Sequence, residues 1–176
     1  MRVLLGSDGS TDAMAAAEWL SRFPLPETVS FMVLSGFTVP GLRRLPRDAA
    51  ASLREVAEGV AERSRAALGT RAAQAEMRVV EGDAREEIVR AADDWDADLV
   101  VLGARGLGRV RGLLLGTVSL TVARHCPRPV LVVKGATKPL RTALVALDGS
   151  THALDALRFF AALPGSRDLA VRIVSV

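Results

Sequence analysis

Asp98-Leu99-Val100-Val101-Leu102-Gly103-Ala104-Arg105-Gly106-Leu107-Gly108-Arg109-Val110-Arg111-Gly112-Leu113-Leu114-Leu115-Gly116-Thr117 joins an unbroken apolar run to a loop carrying five glycines. An apolar run of this length, closed by glycine, has the signature of a strand buried on both faces, as in a parallel sheet. A helical pattern follows from about Gly116 to His125. Pro129-Val130-Leu131-Val132-Val133 is then a further buried strand. Strand, glycine loop, helix and strand in that order make one β-α-β unit.

The same grammar extends towards the start of the chain. Val3-Leu4-Leu5 is an apolar run that stops at Gly6-Ser7-Asp8-Gly9. Ser10 reads as a helix N-cap, and Ala16, Ala17, Leu20 and Phe23 follow at helical spacing until Pro24 and Pro26. Val29 to Leu34 reads as a second strand and residues 36–47 as loop. A long helix carries Leu53, Val56, Ala57, Val60, Ala61, Ser64, Ala67 and Leu68 on one apolar or small face. Met77 to Val80 is a third strand ending at Glu81-Gly82. Asp83-Ala84-Arg85-Glu86 resembles a capping box with Asp83 as cap, and Ile88, Val89, Ala92 and Trp95 form the next apolar face. Strict alternation of this kind predicts a parallel sheet with helices on both sides. Ligands of such sheets sit beyond the carboxyl ends of the strands. Asp8 and Gly103 both fall there, so they are expected to meet.

After a short linker at about Gly135 to Pro139 the opening returns. Leu144-Val145-Ala146-Leu147-Asp148-Gly149-Ser150-Thr151 echoes Leu4-Leu5-Gly6-Ser7-Asp8-Gly9-Ser10-Thr11 at a constant offset of 140 residues. Trp19 faces Phe159, Pro24 faces Pro164 and Ser35 faces Ser175. The second copy covers one β-α-β unit and brings no second glycine loop. Such a unit buries its faces poorly by itself, so either the chain is truncated or residues 141–176 are expected to complete another sheet, packing against the first domain or a second copy of the chain.

Bulk properties narrow the function. The 176 residues suffice for one domain and some surplus, and 23 basic residues against 20 acidic give a net charge of +3. Apart from Lys134 and Lys138 the basic residues are arginines spread along the chain. Basic patches with interleaved aromatics are lacking, which argues against nucleic acid as partner. The lone Cys126 suits a reducing compartment and rules out an intrachain disulfide. Its neighbour His125 points another way on a helix, so the pair reads as a packed helix end and not a nucleophile. The apolar runs are too short to span a bilayer, and no signal pattern opens the chain. A soluble cytoplasmic protein without a membrane partner is expected.

The glycine loop suits an anion. Glycine lets backbone amides approach closely. A helix beginning near Gly116 offers unpaired N–H groups and a favourable dipole. The Thr117 and Ser119 hydroxyls add donors, and Arg105, Arg109 and Arg111 add charge. A Walker loop would need a lysine that is absent, and the dinucleotide pattern fails because Arg111 stands where its third glycine belongs. On chemistry alone, a glycine-rich connection without a ligand stands as the plainer alternative.

Gly103-x2-Gly106-x9-Gly116-Thr117 matches the G-2x-G-9x-G-(S/T) pattern of ATP-binding universal stress proteins. Val3 to Ser10, Val79 to Asp83, Asp98 to Gly103 and Pro129 to Val133 resemble that family's strands in the same order. The resemblance covers residues 2–134 and, as a partial second copy, 141–176, similar to tandem members. It implies a doubly wound, Rossmann-like α/β fold with a five-stranded parallel sheet of order 3-2-1-4-5, followed by an extra β-α-β unit. Residues 1–135 would be the nucleotide-binding domain and 141–176 a partial repeat.

The resemblance further implies that Asp8, with Ser7 beside it, meets the adenine-ribose side of ATP and that Val80 lies near adenine. Gly103, Arg105, Gly106, Gly108, Gly116, Thr117, Val118 and Ser119 would surround the phosphates, with Mg²⁺ or Mn²⁺ bridging them and no protein metal ligands. It implies a homodimer through Val130 to Val133 and an unknown protein partner. A regulatory stress-response module is the expectation. A slow ATP hydrolase and a non-nucleotide interaction protein are the alternatives. No general base or nucleophile is evident near the loop.

Overall fold

The computed structural model describes residues 1–39, 47–107, 115–135 and 140–175. Contacts divide the chain into one unit of Met1–Phe23 with Thr28–Thr137 and a second of Pro24–Glu27 with Lys138–Val176.

The first unit runs β1 (Arg2–Gly6), α1 (Thr11–Arg22), β2 (Ser30–Phe37), α2 (Arg47–Ala67), a 3₁₀ turn (Gly69–Gln74), β3 (Ala75–Glu81), α3 (Ala84–Asp94), β4 (Leu99–Gly103), α4 (Thr117–His125) and β5 (Val130–Val133). The five strands form a parallel sheet of order β3-β2-β1-β4-β5, the expected topology. α1 and α2 pack together on one face, α3 and α4 on the other. Both faces of the central strands are therefore covered, and Val3, Leu4, Leu5, Val100 and Val101 are wholly buried. Alternate side chains serve alternate faces. Leu4, Met32, Leu34, Val100 and Leu102 join Ile88, Ala91, Ala92 and Val122 in one core. Burying each such leucine contributes about 1.5–3 kcal/mol.

The strand and helix bounds differ from the sequence reading where pairing overrides local preference. β2 continues three residues past Leu34, because Ser35, Gly36 and Phe37 pair with Val79, Val80 and Glu81. Gly36 is a weak strand former, but the neighbouring ladder holds it extended. β3 starts two residues before Met77 for the same reason, and α2 begins at Arg47, earlier than its apolar face. Ser10 caps α1 as expected, its hydroxyl accepting the Ala13 N–H at 3.3 Å. Among the described residues no helix is long and apolar enough to cross a membrane.

The second unit is the extra β-α-β element: β6 (Thr142–Leu147), α5 (Thr151–Ala162), a 3₁₀ turn at Ser166–Asp168 and β7 (Ala170–Ser175). β6 and β7 pair in parallel as a two-stranded sheet. α5 has no buried residue, β7 is exposed along its length, and Leu144, Ile173 and Val174 are open to solvent.

Candidate functional site

β1 and β4 are neighbours in register, Gly6 beside Leu102. Their carboxyl ends release two loops side by side: the turn Ser7-Asp8-Gly9-Ser10 and the glycine loop. Gly9 adopts φ 75°, which lets the chain reverse directly into α1. The Asp8 carboxylate accepts the Ser10 N–H at 3.0 Å and, with its other oxygen, the Leu107 N–H at 2.8 Å. Ser10 donates its hydroxyl to the Arg105 carbonyl at 3.0 Å. The expected meeting of Asp8 with the glycine loop is thus a set of direct hydrogen bonds.

An open cleft lies over this junction. Ser7, Asp8, Ser10, Gly103, Arg105, Gly106 and Ser119 give its lining polar groups, and Leu34, Ala84, Ile88, Leu102 and Val118 give it apolar ones. Gly6 and Gly36 line the cleft without side chains of their own. A Cβ on Gly6 would stand 2.5 Å from Leu102 Cδ2.

α4 opens onto the cleft. Its N-cap is Gly116, which contributes no side-chain bond, and its ladder begins with Leu120 N–H to the Gly116 carbonyl at 3.0 Å. The amides of Thr117, Val118 and Ser119 precede that ladder, giving the helix terminus its anion preference. Gly116 donates its own N–H to the Ala104 carbonyl at 2.7 Å, and the buried Ser119 donates its hydroxyl to the Gly103 carbonyl at 2.7 Å. These two bonds close the loop across its neck.

Of the residues singled out from sequence, the structure brings Ser7, Asp8, Gly103, Arg105, Gly106, Val118 and Ser119 together around the cleft. Gly116 and Thr117 form the start of α4, with Thr117 exposed. Val80 stands behind Gly36, where its Cγ2 would lie 3.7 Å from a Cβ on that glycine. Gly108, together with Arg109 and Arg111, lies outside the described residues. His125 is at the far end of α4, its Nδ1 bonded to the Thr121 carbonyl at 2.9 Å. Cys126 terminates the same helix, and burial pushes its thiol pKa up.

Two framing residues escaped the sequence reading. Ser64 of α2 is wholly buried and lies 2.7 Å from the Ser7 hydroxyl. Because Ser64 donates to the Val60 carbonyl at 2.9 Å, Ser7 donates to Ser64 and accepts from the Gly9 N–H at 3.2 Å. Its only sequence signal was a hydroxyl on an otherwise apolar helix face. Asp12 is the other: it is buried in the first turn of α1, with Arg105 Nε 3.3 Å away. An acid in that turn reads simply as a response to the helix dipole.

The model of the universal stress protein family matches residues 1–134. A universal stress protein of Thermus aquaticus is 32% identical over 133 residues, covering 75% of this chain and 97% of that one. A universal stress protein structure from Archaeoglobus fulgidus superposes with a TM-score of 0.77 at 23% identity. It covers 99% of this chain and 65% of the other, so the present chain spans about two thirds of that protein. A universal stress protein solved in complex with cAMP superposes with a TM-score of 0.53 at 28% identity, covering 76% of this chain and 96% of that one. With the sheet order, the motif and the family match in agreement, the chain belongs to the universal stress protein family.

Proposed function

We propose that this chain is an ATP-binding regulatory module of the stress response, acting in the cytoplasm and coupling nucleotide occupancy to its conformation and its contacts with a protein partner. The observation that carries the reading is the start of α4. An N-terminus capped only by glycine opens on a cleft lined both by Arg105 and by apolar residues such as Leu34, Ile88 and Leu102. A phosphate chain suits the first and a purine the second. The relative solved with cAMP supports an adenine nucleotide as the class of ligand. In this reading Asp8 and Ser7 face the sugar, Val80 backs the base, and Mg²⁺ or Mn²⁺ would accompany the phosphates and offset their charge. Residues 1–135 form the binding domain. The chain pairs with a second copy along β5, an outer strand of the sheet whose edge is open to another strand.

Thermal unfolding with and without ATP and Mg²⁺ tests the reading, since a ligand of the folded state raises the melting temperature. Wild type is expected to shift at millimolar ATP; no shift refutes binding. Gly106→Val is expected to abolish the shift, because even a Cβ there would stand 2.4 Å from Asp8 Oδ2. Phosphate release in the same samples separates a binding module from a slow hydrolase.

A further inference from the structure

Arg105 lines the cleft and also a second recess at the start of α1, beside Ser10, Thr11 and Leu107. Its backbone is fixed on both sides. The carbonyl accepts the Ser10 hydroxyl at 3.0 Å, and the amide two residues on donates to Asp8 at 2.8 Å. Its side chain is directed by Asp12, whose Oδ2 lies 3.3 Å from Nε. The two partners differ in environment: the Asp12 side chain is 8% exposed and that of Arg105 44%. The other Asp12 oxygen accepts the Gly135 N–H at 3.2 Å, just past β5. Asp12 is thus tied to α1, to the glycine loop and to the exit of β5.

Burying a carboxylate to this degree costs far less when a cation and hydrogen bonds satisfy it. Among the described residues Arg105 is the cation paired with it. A guanidinium presents five N–H groups in a planar fork. Engaging Nε from behind leaves the two terminal nitrogens for a second anion, and among the described residues neither has a partner. The carboxylate is neutralised by the same contact, so it does not repel a phosphate chain in the cleft.

We propose that Asp12 is a positioning residue that aims Arg105 at the phosphate chain of the nucleotide, and thereby sets the preference for a nucleoside polyphosphate over the bare nucleoside. This rests on the nucleotide-binding reading above. Asp12 does not touch the ligand; it acts through Arg105.

Calorimetric titration of the full chain with ATP and with adenosine tests it, using wild type, Asp12→Asn, Asp12→Ala, Arg105→Ala and the Asp12→Ala/Arg105→Ala pair. Asp12→Asn keeps the size of the side chain and an oxygen for Gly135 while removing the charge. Loss of one charge-assisted hydrogen bond corresponds to about a tenfold fall in affinity. That fall is expected for ATP in each single variant, with adenosine affinity unchanged. The double variant is expected to bind ATP no more weakly than Arg105→Ala. Equal losses for ATP and adenosine, additive losses in the double variant, or undiminished ATP binding in the Asp12 variants would each overturn the proposal while leaving nucleotide binding intact. A wild-type chain that takes up neither ligand would overturn the nucleotide reading and this inference with it.

Discussion

Gly103 shows how one position can answer to two demands. In the sequence it reads as the first glycine of a phosphate loop. In the fold it lies against α1 so closely that an added Cβ would stand 2.4 Å from the Ala13 nitrogen and 2.5 Å from the Asp12 carbonyl carbon. Both are backbone atoms of a buried helix, which cannot swing aside as a flexible side chain would. Gly103→Ala is therefore expected to destabilise the chain by about 3 kcal/mol or more, at the top of the range for overpacked sites. Urea unfolding measures it, and a change below about 1 kcal/mol would show that α1 yields more easily than its packing suggests. The residue types around the cleft were legible because their backbone roles are local: Ser10 caps, Asp8 turns, glycine frees the chain. Asp12 was not legible. Its ion pair joins positions 93 residues apart, and only tertiary folding creates that proximity.

At the level of elements, periodicity and punctuation located each strand and helix of the first unit, and adjacent strands then set their lengths. The 3₁₀ turn at Gly69–Gln74 left no periodic trace, being too short for one. α3 illustrates a local signal that held. Asp83 caps it by accepting the Arg85 N–H at 2.9 Å, and the Arg85 guanidinium grips the same carboxylate. That side-chain contact, aided by the backbone N–H, holds the Asp83 pKa at about 2 against an ordinary 3.8. A depressed carboxylate pKa contributes stability that is complete above the unfolded value and disappears as pH falls through the folded one. Asp83→Asn can still cap but lacks the charge. Its melting temperature is expected to lie below that of wild type at pH 6, and the gap should close between pH 4 and pH 2. Circular dichroism melts across that range check it; a gap independent of pH would show that the charge is not the source.

For the whole molecule, every described residue of the cleft belongs to the first unit. A chain cut to residues 1–135 is expected to keep the ATP-dependent rise in melting temperature seen with the full chain. Loss of that shift from a folded fragment would assign residues 141–176 a part in the site. The parallel sheet followed from alternating elements and its order from a family resemblance, and the echo of Asp8-Gly9-Ser10-Thr11 in Asp148-Gly149-Ser150-Thr151 was visible as sequence identity. The partner of the repeat's apolar faces was not legible, because exposed Leu144 and Ile173 say that a surface is apolar without naming what meets it.

The repeat also serves as a control experiment already performed inside one polypeptide. Both copies build the same turn. Asp148 accepts the Ser150 N–H at 2.9 Å where Asp8 accepts that of Ser10 at 3.0 Å, and the intervening glycines sit at φ 79° and 75°. Ser150 caps its helix through Ala153 as Ser10 does through Ala13. Yet Leu147 stands where Ser7 reaches Ser64, and His152 stands where Asp12 holds Arg105. The second turn keeps the letters that bend the chain and differs at the two that bond to the rest of the first unit. Ser7 and Asp12, more than the conspicuous Asp-Gly-Ser signature, are what tie the first turn to α2 and to the glycine loop.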